Sequence, residues 1–336
     1  MRDRALIFHH TDLDGIGVKI VGSVVATRLG YKEIETFKCD YHSINPIVLK
    51  RLQTSDISDV GLIIIADISV NDTVSEFINN EIVGNCNIQV VLRDHHATAE
   101  YLNKYDWAEV HEVIDGVTRC GTWQLAKAFP SQITDMDLFL TLVDDWDTWK
   151  WVENGNESAK KLNALFQAVG EEKFTEYMMN GYAPKFSMFK EDWMFDTWAN
   201  SMIEAQQMFI EKTAKKCEES MWTSKMCVKT CEYNTGIVFC NNDISDVAEL
   251  ILRNHEELDI LMLVGMPRNI SFRTKKQLDV PLGDIANIMT GSGGGHPQSA
   301  GCGISQEQFI KLFVEFNKAL NHNHIRFNDL KLTTQN

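Results

Sequence analysis

Two short apolar segments constrain the fold of this chain more than any other feature of its sequence. GLIIIA at 61–66 and IQVVL at 88–92 are rich in β-branched residues on both faces. Strands that are buried on both faces are typical of parallel sheets covered by helices. Further segments alternate between strand-like and helix-like patterns, namely 5–10, 16–29, 34–39, 71–82, 107–114, 121–129 and 135–142. This alternation predicts an α/β domain with a parallel sheet.

The character of the sequence changes after about residue 152. The next 70 residues, 153–222, are rich in Lys, Glu, Met, Phe and Trp at helical spacing, and β/α alternation then resumes with a predicted hairpin of strands 228–233 and 236–240. We therefore predict two α/β domains joined by a helical connector, followed by a polar tail. The predicted regions are a first domain at 1–152, the connector at 153–222, a smaller second domain at 223–322 and the tail at 323–336.

The charge of the chain limits the ligands that it can bind. Its 32 Lys and Arg residues stand against 47 Asp and Glu, which gives a formal net charge of −15. Such a chain cannot attract a long phosphate backbone by bulk electrostatics. A phosphate ligand would need local cations or metal ions.

The sequence also bears on the cellular compartment. No apolar run approaches the roughly 18–20 residues of a membrane helix. The four apolar residues at 5–8 are too few for a signal peptide core, and the eight cysteines include no CxxC pair. We expect a cytoplasmic protein with reduced thiols and no membrane partner.

Acidic residues and histidines follow the predicted strands, and one more acidic cluster ends a predicted helix. The four clusters are HHTDLDG at 9–15, Asp67 after LIIIA, DHH at 94–96 and DDWD at 144–147. The carboxyl ends of parallel strands meet at one edge of the sheet, where ligands bind. Carboxylates gathered with imidazoles are unstable unless cations neutralise them. Mixed oxygen and imidazole ligands suit Mn²⁺ or a similar first-row ion, so one or two divalent ions are predicted here.

Five motifs in this order resemble those of the DHH phosphoesterase superfamily. HTDLDG, Asp67, the DHH triplet and the later Asp cluster are similar to its four catalytic motifs, and GGGHPQSAG at 293–301 resembles the GGGHxxAAG signature of the partner domain DHHA1. The resemblance extends over about 6–303. It implies that 1–152 is a DHH catalytic domain and that 223–322 is a DHHA1 substrate-binding domain.

The resemblance also implies a site that holds two divalent metal ions. Asp67 would bridge both ions, His96 would lie near the scissile phosphate, and Asp94 would support the site from outside the metal ligands. The implied metal ligands are His10, Asp12, Asp14, Asp67, His95 and one Asp of the fourth motif.

Two ligand positions stay open at this point. Many members of the superfamily place the first histidine four residues before the first Asp of the motif, where this chain has Phe8. His9 or His10 must take that role, and the HxDxDG spacing favours His10. In the fourth motif Asp145 and Asp147 both fit, with a slight preference for Asp145.

The glycine cluster completes the implied site. Consecutive glycines let backbone N–H groups approach an anion closely, and a strand with a cation, SFRT at 271–274, comes before them. The resemblance implies that this loop and the cation bind substrate phosphates or bases. The implied residues are Arg273, Gly293, Gly294, Gly295 and His296.

The implied activity is hydrolysis of a phosphoric ester by attack of a metal-bridging hydroxide on phosphorus. Mn²⁺ is favoured, with Mg²⁺ and Co²⁺ left open, and the catalytic side chains are His96 and Asp94. Short oligonucleotides or dinucleotides, hydrolysed to mononucleotides, are the first choice of substrate. Cyclic dinucleotides and single-stranded DNA, as for RecJ-type exonucleases, are the alternatives. A non-enzymatic nucleotide sensor is the alternative of a different class, and a homodimer is left open.

Overall fold

The computed structural model describes residues 2–54, 56–86, 88–182, 195–266, 269–291, 293–311 and 314, and at 54, 85, 180–182 and 296 it describes the backbone alone. The chain divides into two compact units, Met1–Gln206 and Gln207–Asn336. This division falls inside the predicted connector at 153–222. The predicted polar tail at 323–336 lies outside the described residues.

Five strands form one parallel sheet in the first unit, with the spatial order β2-β1-β3-β4-β5. The strands are β1 (Arg4–His9), β2 (Glu33–Lys38), β3 (Val60–Ala66), β4 (Gln89–Asp94) and β5 (Ala108–Val110). Alternate residues of β1 enter opposite layers, since Ile7 packs with one apolar cluster and Leu6 and Phe8 with the other. The predicted α/β domain with a parallel sheet is confirmed.

Helices cover both faces of this sheet. The first face carries α1, α4, α5 and α7, and the second carries α2 and α3. The helices are α1 (Leu13–Arg28), α2 (Ile44–Thr54), α3 (Asp72–Phe77), α4 (Gly121–Ala128), α5 (Asp137–Asp147), α6 (Lys150–Asn154) and α7 (Glu157–Tyr182). Shorter helical turns are a π-helix at Ile78–Val83, an α turn at Gly84–Cys86 and a 3₁₀ helix at Ala97–Lys104.

The strand predicted at 107–114 is shorter than expected. β5 ends at Val110, and a two-stranded hairpin of β6 (Val113–Ile114) and β7 (Val117–Thr118) follows. Its turn residues Asp115 and Gly116 both have positive φ, 52° and 78°. An Asp-Gly pair with this conformation is the preferred two-residue hairpin turn, so the sequence did carry the signal.

The second unit contains a mixed six-stranded sheet with the order β12-β13-β11-β10-β9-β8. Only β9 and β10 pair in parallel among these strands. Its elements are β8 (Trp222–Val228), β9 (Cys231–Phe239), α9 (Ile244–Asn254), β10 (Ile260–Gly265), β11 (Asn269–Arg273), α10 (Leu282–Thr290), β12 (Gly294–His296) and β13 (Ser299–Gly303). A further helix, α8 (Thr197–Glu219), crosses the division between the units.

The prediction placed the turn of the second unit's hairpin at the wrong residues. The turn lies at 229–230, where Lys229 has φ 56°, and not at 234–235. Asn234 and Thr235 are residues that are common in turns. Thr235 is nevertheless buried inside β9 and pairs with Ile260 of β10. Asn234 is accepted in a strand because its backbone N–H donates to Asp259 Oδ2 at 2.7 Å.

Most of the described part of the predicted connector lies in α6, α7 and α8, but residues 155–156, 195–196 and 220–221 are not helical, and β8 already begins at Trp222. Residues 183–194 of that segment lie outside the described residues. Within the described ranges, no helix combines the length with the apolarity that crossing a bilayer requires.

Candidate metal centre

The carboxyl ends of three neighbouring strands bring the predicted ligands together. β1, β3 and β4 are adjacent and parallel, and they lead into residues 10–14, Asp67 and residues 94–96. Three overlapping groups of side chains each have their ligand atoms within 4.8 Å of one another. These groups are His10, Asp12 and Asp67; Asp14, His95 and Asp147; and Asp67, Asp94, His95 and His96.

Asp14 is fixed by the start of a second helix. Its carboxylate accepts the backbone N–H groups of Gly121, at 2.7 Å, and Thr122, at 2.9 Å, in the first turn of α4. The free N–H groups and the dipole at a helix N-terminus stabilise an anion. A Cβ at Gly121 would lie 2.7 Å from Cβ of Asp67, so only glycine lets α4 begin this close to the site.

Asp67 lies at the centre of the cluster. Its Oδ1 is 3.2 Å from His95 Nε2, and its Oδ2 is 3.8 Å from His10 Nδ1. The residue has φ 56°, in the left-handed region, and its N–H donates to Arg93 O at 3.0 Å. Aspartate tolerates this conformation better than most residues, and such strain is concentrated at functional sites. The buried Oδ2 has no hydrogen-bond partner.

The structure brings Asp147, rather than Asp145, to the cluster. Asp147 Oδ2 lies 3.6 Å from His95 Nε2 and is a buried oxygen without a hydrogen-bond partner. Asp145 Oδ2 instead accepts the side-chain amide of Asn156 at 2.7 Å. Two residues apart on a helix are separated by about 200° of rotation, so Asp145 and Asp147 cannot serve the same site.

Asp144, the third carboxylate at this helix end, forms hydrogen bonds that stabilise the fold. It is buried and accepts from Lys150 Nζ at 2.6 Å, Arg119 Nη1 at 2.8 Å and Cys120 N at 2.9 Å. These contacts tie the end of α5 to the start of α4.

The structure also separates the two candidate histidines of the first motif. His10 Nδ1 lies 2.8 Å from Asp12 Oδ2, inside the cluster. His9 is fully buried, its Nδ1 donates to His10 O at 2.8 Å, and its Nε2 lies 3.9 Å from Glu171 Oε1. Burial lowers the pKa of His9 to about 4. The favoured residue, His10, is therefore the one that the structure groups with carboxylates.

Asp94 organises the third motif. Its Oδ1 accepts His95 N at 2.8 Å and His96 Nδ1 at 2.7 Å, and its Oδ2 accepts Ser69 Oγ. Burial lowers the pKa of His96, but the hydrogen bond and charge of Asp94 outweigh burial, so the net shift is upward. Asp94 thus orients a histidine that is stabilised in its protonated form.

Tyr41 is a residue of this site that the sequence analysis missed. Its hydroxyl lies 3.1 Å from His96 Nε2. The one available signal was its position two residues after the predicted strand 34–39, at the sheet edge where the acidic clusters were expected.

The electrostatics of the cluster favour a divalent cation. Burial, followed by the charges of Asp14 and Asp12, raises the pKa values of Asp67 and Asp147 well above the usual range of a carboxyl group. A cation among these carboxylates would remove that penalty. The donor set of carboxylate oxygens and imidazole nitrogens, with two unpartnered buried oxygens, fits a first-row divalent ion.

The glycine cluster of the second unit forms a strand rather than an open loop. β12 pairs with β13, and Gly295, with φ 140°, packs so closely that a Cβ would lie 2.5 Å from Ser299 O. Gly294 has no atom within 4 Å of its Cβ position. The packing therefore requires glycine at 295 and leaves 294 open to a ligand. The side chain of His296 lies outside the described residues.

Arg273 lies on β11 beside this strand pair. Its guanidinium donates to Phe272 O at 2.9 Å, Ala300 O at 3.4 Å and Ser245 Oγ at 3.2 Å. Burial lowers its pKa. In the part of the chain that is described, no carboxylate pairs with it, so the cation keeps capacity for an anion.

Comparisons with known proteins bear on both units. Residues 225–322 match the family model of the DHHA1 domain. Over 323 residues the chain is 26% identical to oligoribonuclease NrnB of Bacillus subtilis (strain 168). The aligned region covers 92% of this chain and 74% of that protein.

Solved structures of RecJ share the fold. Exonuclease RecJ bound to manganese has a TM-score of 0.55 and 14% identity, covering 96% of this chain and 91% of that one. RecJ of Thermus thermophilus in complex with Mn²⁺ has a TM-score of 0.54 and 13% identity, covering 97% of this chain and 53% of that one. At these identities the likeness shows the fold alone.

Proposed function

We propose that this chain is a metal-dependent enzyme of the DHH/DHHA1 phosphoesterase superfamily that hydrolyses short oligonucleotides to mononucleotides. The observation that carries the proposal is the position of Asp67, whose unpartnered buried oxygen lies among carboxylates and imidazoles at the sheet edge. The similarity to an oligoribonuclease over nearly the whole chain supports the choice of substrate.

We assign two divalent ions to the cluster, with Mn²⁺ first and Mg²⁺ or Co²⁺ as substitutes. The triad His10, Asp12 and Asp67 would hold one ion, and the triad Asp14, His95 and Asp147 would hold the other. Asp67 Oδ1 lies only 3.2 Å from His95 Nε2, which supports a shared role for Asp67 between the triads. When bound, divalent ions polarise phosphoryl oxygens and lower the pKa of water.

The chain's own side chains supply proton transfer and orientation. His96, whose protonated form Asp94 stabilises, is suited to donate a proton from Nε2 to the leaving oxygen. Asp94 occupies Nδ1, so the proton would leave from Nε2, the nitrogen that also contacts the Tyr41 hydroxyl. Ser69 and the His95 N–H keep Asp94 itself in place.

The substrate preference follows from charge. An acidic chain with a net charge of −15 disfavours a long phosphate backbone, so short linear substrates are preferred to long single strands. A non-enzymatic sensor is disfavoured because every proposed metal ligand is retained and grouped.

The test is a substrate panel with added Mn²⁺. It comprises two- to five-residue RNA and DNA, cyclic dinucleotides, 3′-phosphoadenosine 5′-phosphate and pyrophosphate. We expect the shortest linear RNA to give the highest kcat/KM. Cleavage of cyclic dinucleotides or longer DNA alone would move the assignment to that substrate, and binding without turnover of any substrate would favour a sensor.

We also propose that the enzyme acts in the cytoplasm. All eight cysteines are free thiols, which supports a reducing compartment.

The oligomeric state is left open between a monomer and a homodimer. Sedimentation analysis of the purified protein decides between them.

A matched pair of variants tests the fourth motif. Asp147→Asn is expected to weaken Mn²⁺ binding by roughly 10–100-fold, because it removes a proposed ligand, whereas Asp145→Asn keeps its contact with Asn156 and binds Mn²⁺ like the wild type. Calorimetric titration of metal-free protein with Mn²⁺ measures both. Equal affinity in the two variants would contradict the assignment of Asp147.

We propose that the second unit binds the part of the substrate that does not react, through Gly294 and Arg273. Gly294→Val places its side chain in open space, so the fold is retained while close approach of a ligand is blocked. We expect kcat/KM on a dinucleotide to fall roughly 10–150-fold, equivalent to loss of a charge-assisted hydrogen bond. Bis-p-nitrophenyl phosphate, which lacks a second nucleotide, should be hydrolysed at an unchanged rate.

The control for Gly294→Val is Gly303→Val. Gly303 lies on β13 of the same sheet and also has open space at its Cβ position. This variant should hydrolyse both substrates like the wild type. An equal loss on both substrates in Gly294→Val, or no loss on either, would contradict a substrate role for this strand.

A further inference from the structure

Tyr41 lies against the candidate metal centre, and no step of the proposed reaction uses it. Its Oη is 3.1 Å from His96 Nε2, and the two rings meet edge-on, with their centroids 5.9 Å apart. The ring centroid of Tyr41 is also 5.1 Å from that of His10. The side chain is 58% exposed. The hydroxyl group of this exposed tyrosine is therefore hydrogen-bonded to His96, the residue that is proposed to deliver a proton.

A hydrogen-bonded turn holds Tyr41 in this position. Asp40 Oδ1 accepts the N–H groups of His42, at 2.9 Å, and Ser43, at 2.8 Å, and Ser43 Oγ accepts Asp40 N at 2.8 Å. One residue earlier, Cys39 N donates to His9 O at 2.8 Å. The turn is thereby tied to the end of β1, which leads directly into the first motif. Tyr41 is presented by a fixed backbone.

The hydrogen-bond chemistry of the three side chains is complementary. An ionised carboxylate only accepts, so His96 Nδ1 donates to Asp94 Oδ1. His96 Nε2 then carries either a lone pair or a second proton. A phenol hydroxyl serves both cases, because it donates to the unprotonated nitrogen and accepts from the protonated one. While the proton moves, the Nε2–H can be shared between Tyr41 Oη and the leaving oxygen, and the hydroxyl then donates to the bare nitrogen, so the imidazole keeps one orientation.

We propose that Tyr41 is a positioning residue, which holds the His96 imidazole in its reactive orientation through the hydroxyl group. This inference rests on the proposed function of the site, and Tyr41 acts through His96. A rival role for the same residue is stacking of the exposed ring on a substrate base. The two roles differ in the part of the side chain that matters, since positioning needs the hydroxyl and stacking needs only the ring.

The first experiment compares Tyr41→Phe with Tyr31→Phe in the full chain with Mn²⁺ and a diribonucleotide. Tyr31 precedes β2 and Tyr41 follows it, so the control loses the same atom at the opposite end of that strand. We expect Tyr41→Phe to lower kcat roughly tenfold with KM unchanged, the size of one lost hydrogen bond. Tyr31→Phe should match the wild type. A wild-type kcat in Tyr41→Phe, with a raised KM in Tyr41→Ala, would overturn positioning in favour of stacking.

A double-mutant cycle shows whether Tyr41 acts through His96. In a His96→Ala background, Tyr41→Phe is expected to cause no further loss of kcat, because the partner of the hydroxyl is already absent. A tenfold loss in both backgrounds would mean that the two residues act independently, and it would overturn the proposal.

A readout independent of turnover separates this inference from the proposed function. In ¹⁵N spectra of the metal-free protein, Tyr41→Phe should shift the His96 Nε2 resonance, whereas Tyr31→Phe should leave it in place. If the wild type hydrolysed nothing in the substrate panel, the proposed function would fail, but this shift would still report the hydrogen bond. An unshifted His96 resonance in Tyr41→Phe would overturn the positioning role whatever the activity.

Discussion

Asp67→Asn is expected to reduce hydrolysis of every substrate by more than about a thousandfold, or ~4 kcal/mol of barrier. Asp67 belongs to one ligand triad and touches His95 of the other, so its loss affects both proposed ions. Asn tests the role of the charge better than Ala does, because it keeps the shape of the side chain and tolerates the left-handed φ of 56°. Steady-state rates on a dinucleotide and on bis-p-nitrophenyl phosphate measure the effect.

The fold of Asp67→Asn should survive. Burial and the neighbouring carboxylates disfavour the ionised form of Asp67, since they raise its pKa. A neutral amide relieves that repulsion, so the metal-free variant should unfold at a temperature no lower than that of metal-free wild type. Retention of more than about a tenth of the wild-type rate, only ~1.4 kcal/mol of barrier, would show that Asp67 does not bridge two ions.

Mn²⁺ is expected to raise the melting temperature by an amount that grows with pH. In the metal-free protein, the raised pKa values of Asp67 and Asp147 mean that the folded state binds more protons than the unfolded state. The free energy of unfolding therefore falls as pH rises through those folded-state pKa values. At lower pH the carboxyl groups are protonated, and the metal-free protein regains that stability.

The size of this shift follows from linkage. Mn²⁺ competes with the protons, so its stabilising effect is largest where the carboxylates are ionised. At a free concentration 100 times Kd, one ion stabilises by about 2.7 kcal/mol, which corresponds to roughly 5–10 °C for a unit of this size. Melting curves at pH 5, 6, 7 and 8, with chelator and with Mn²⁺, measure it, and Asp67→Asn serves as the control with a reduced shift. Equal melting temperatures with and without Mn²⁺ at every pH would show that the cluster does not bind the ion.

Much of this site could be predicted because its positions follow from strand order. Buried β-branched runs identify β3 and β4, and side chains after parallel strands must meet at one edge. That reasoning is sufficient to bring Asp12, Asp67 and His95 into one cluster before any coordinates are known. The fold class was predictable for the same reason, since buried apolar strands require helices on both faces.

The rest depended on contacts between segments far apart in sequence. The choice between Asp145 and Asp147 needed the rotational phase of α5, which its apolar pattern alone does not define. Gly121 holds Asp14 from more than 100 residues away, through backbone N–H groups that any sequence would have. Tyr41 reaches His96 because of a local turn, and such a turn gives no periodic signal. The hairpin turn of the second unit was misplaced because tertiary pairing outweighed the turn propensity of Asn234 and Thr235.

Hydrolysis of a diribonucleotide as a function of Mn²⁺ bound per chain shows whether the carboxylate and histidine cluster is a catalytic metal centre. Protein stripped by a chelator and dialysed is reloaded in steps, with bound Mn²⁺ counted at each step and the rate measured on the same sample. We expect no turnover in the stripped protein, recovery that follows occupancy of the two proposed positions, and no recovery in Asp67→Asn. Full turnover by the stripped wild type in excess chelator would contradict this expectation.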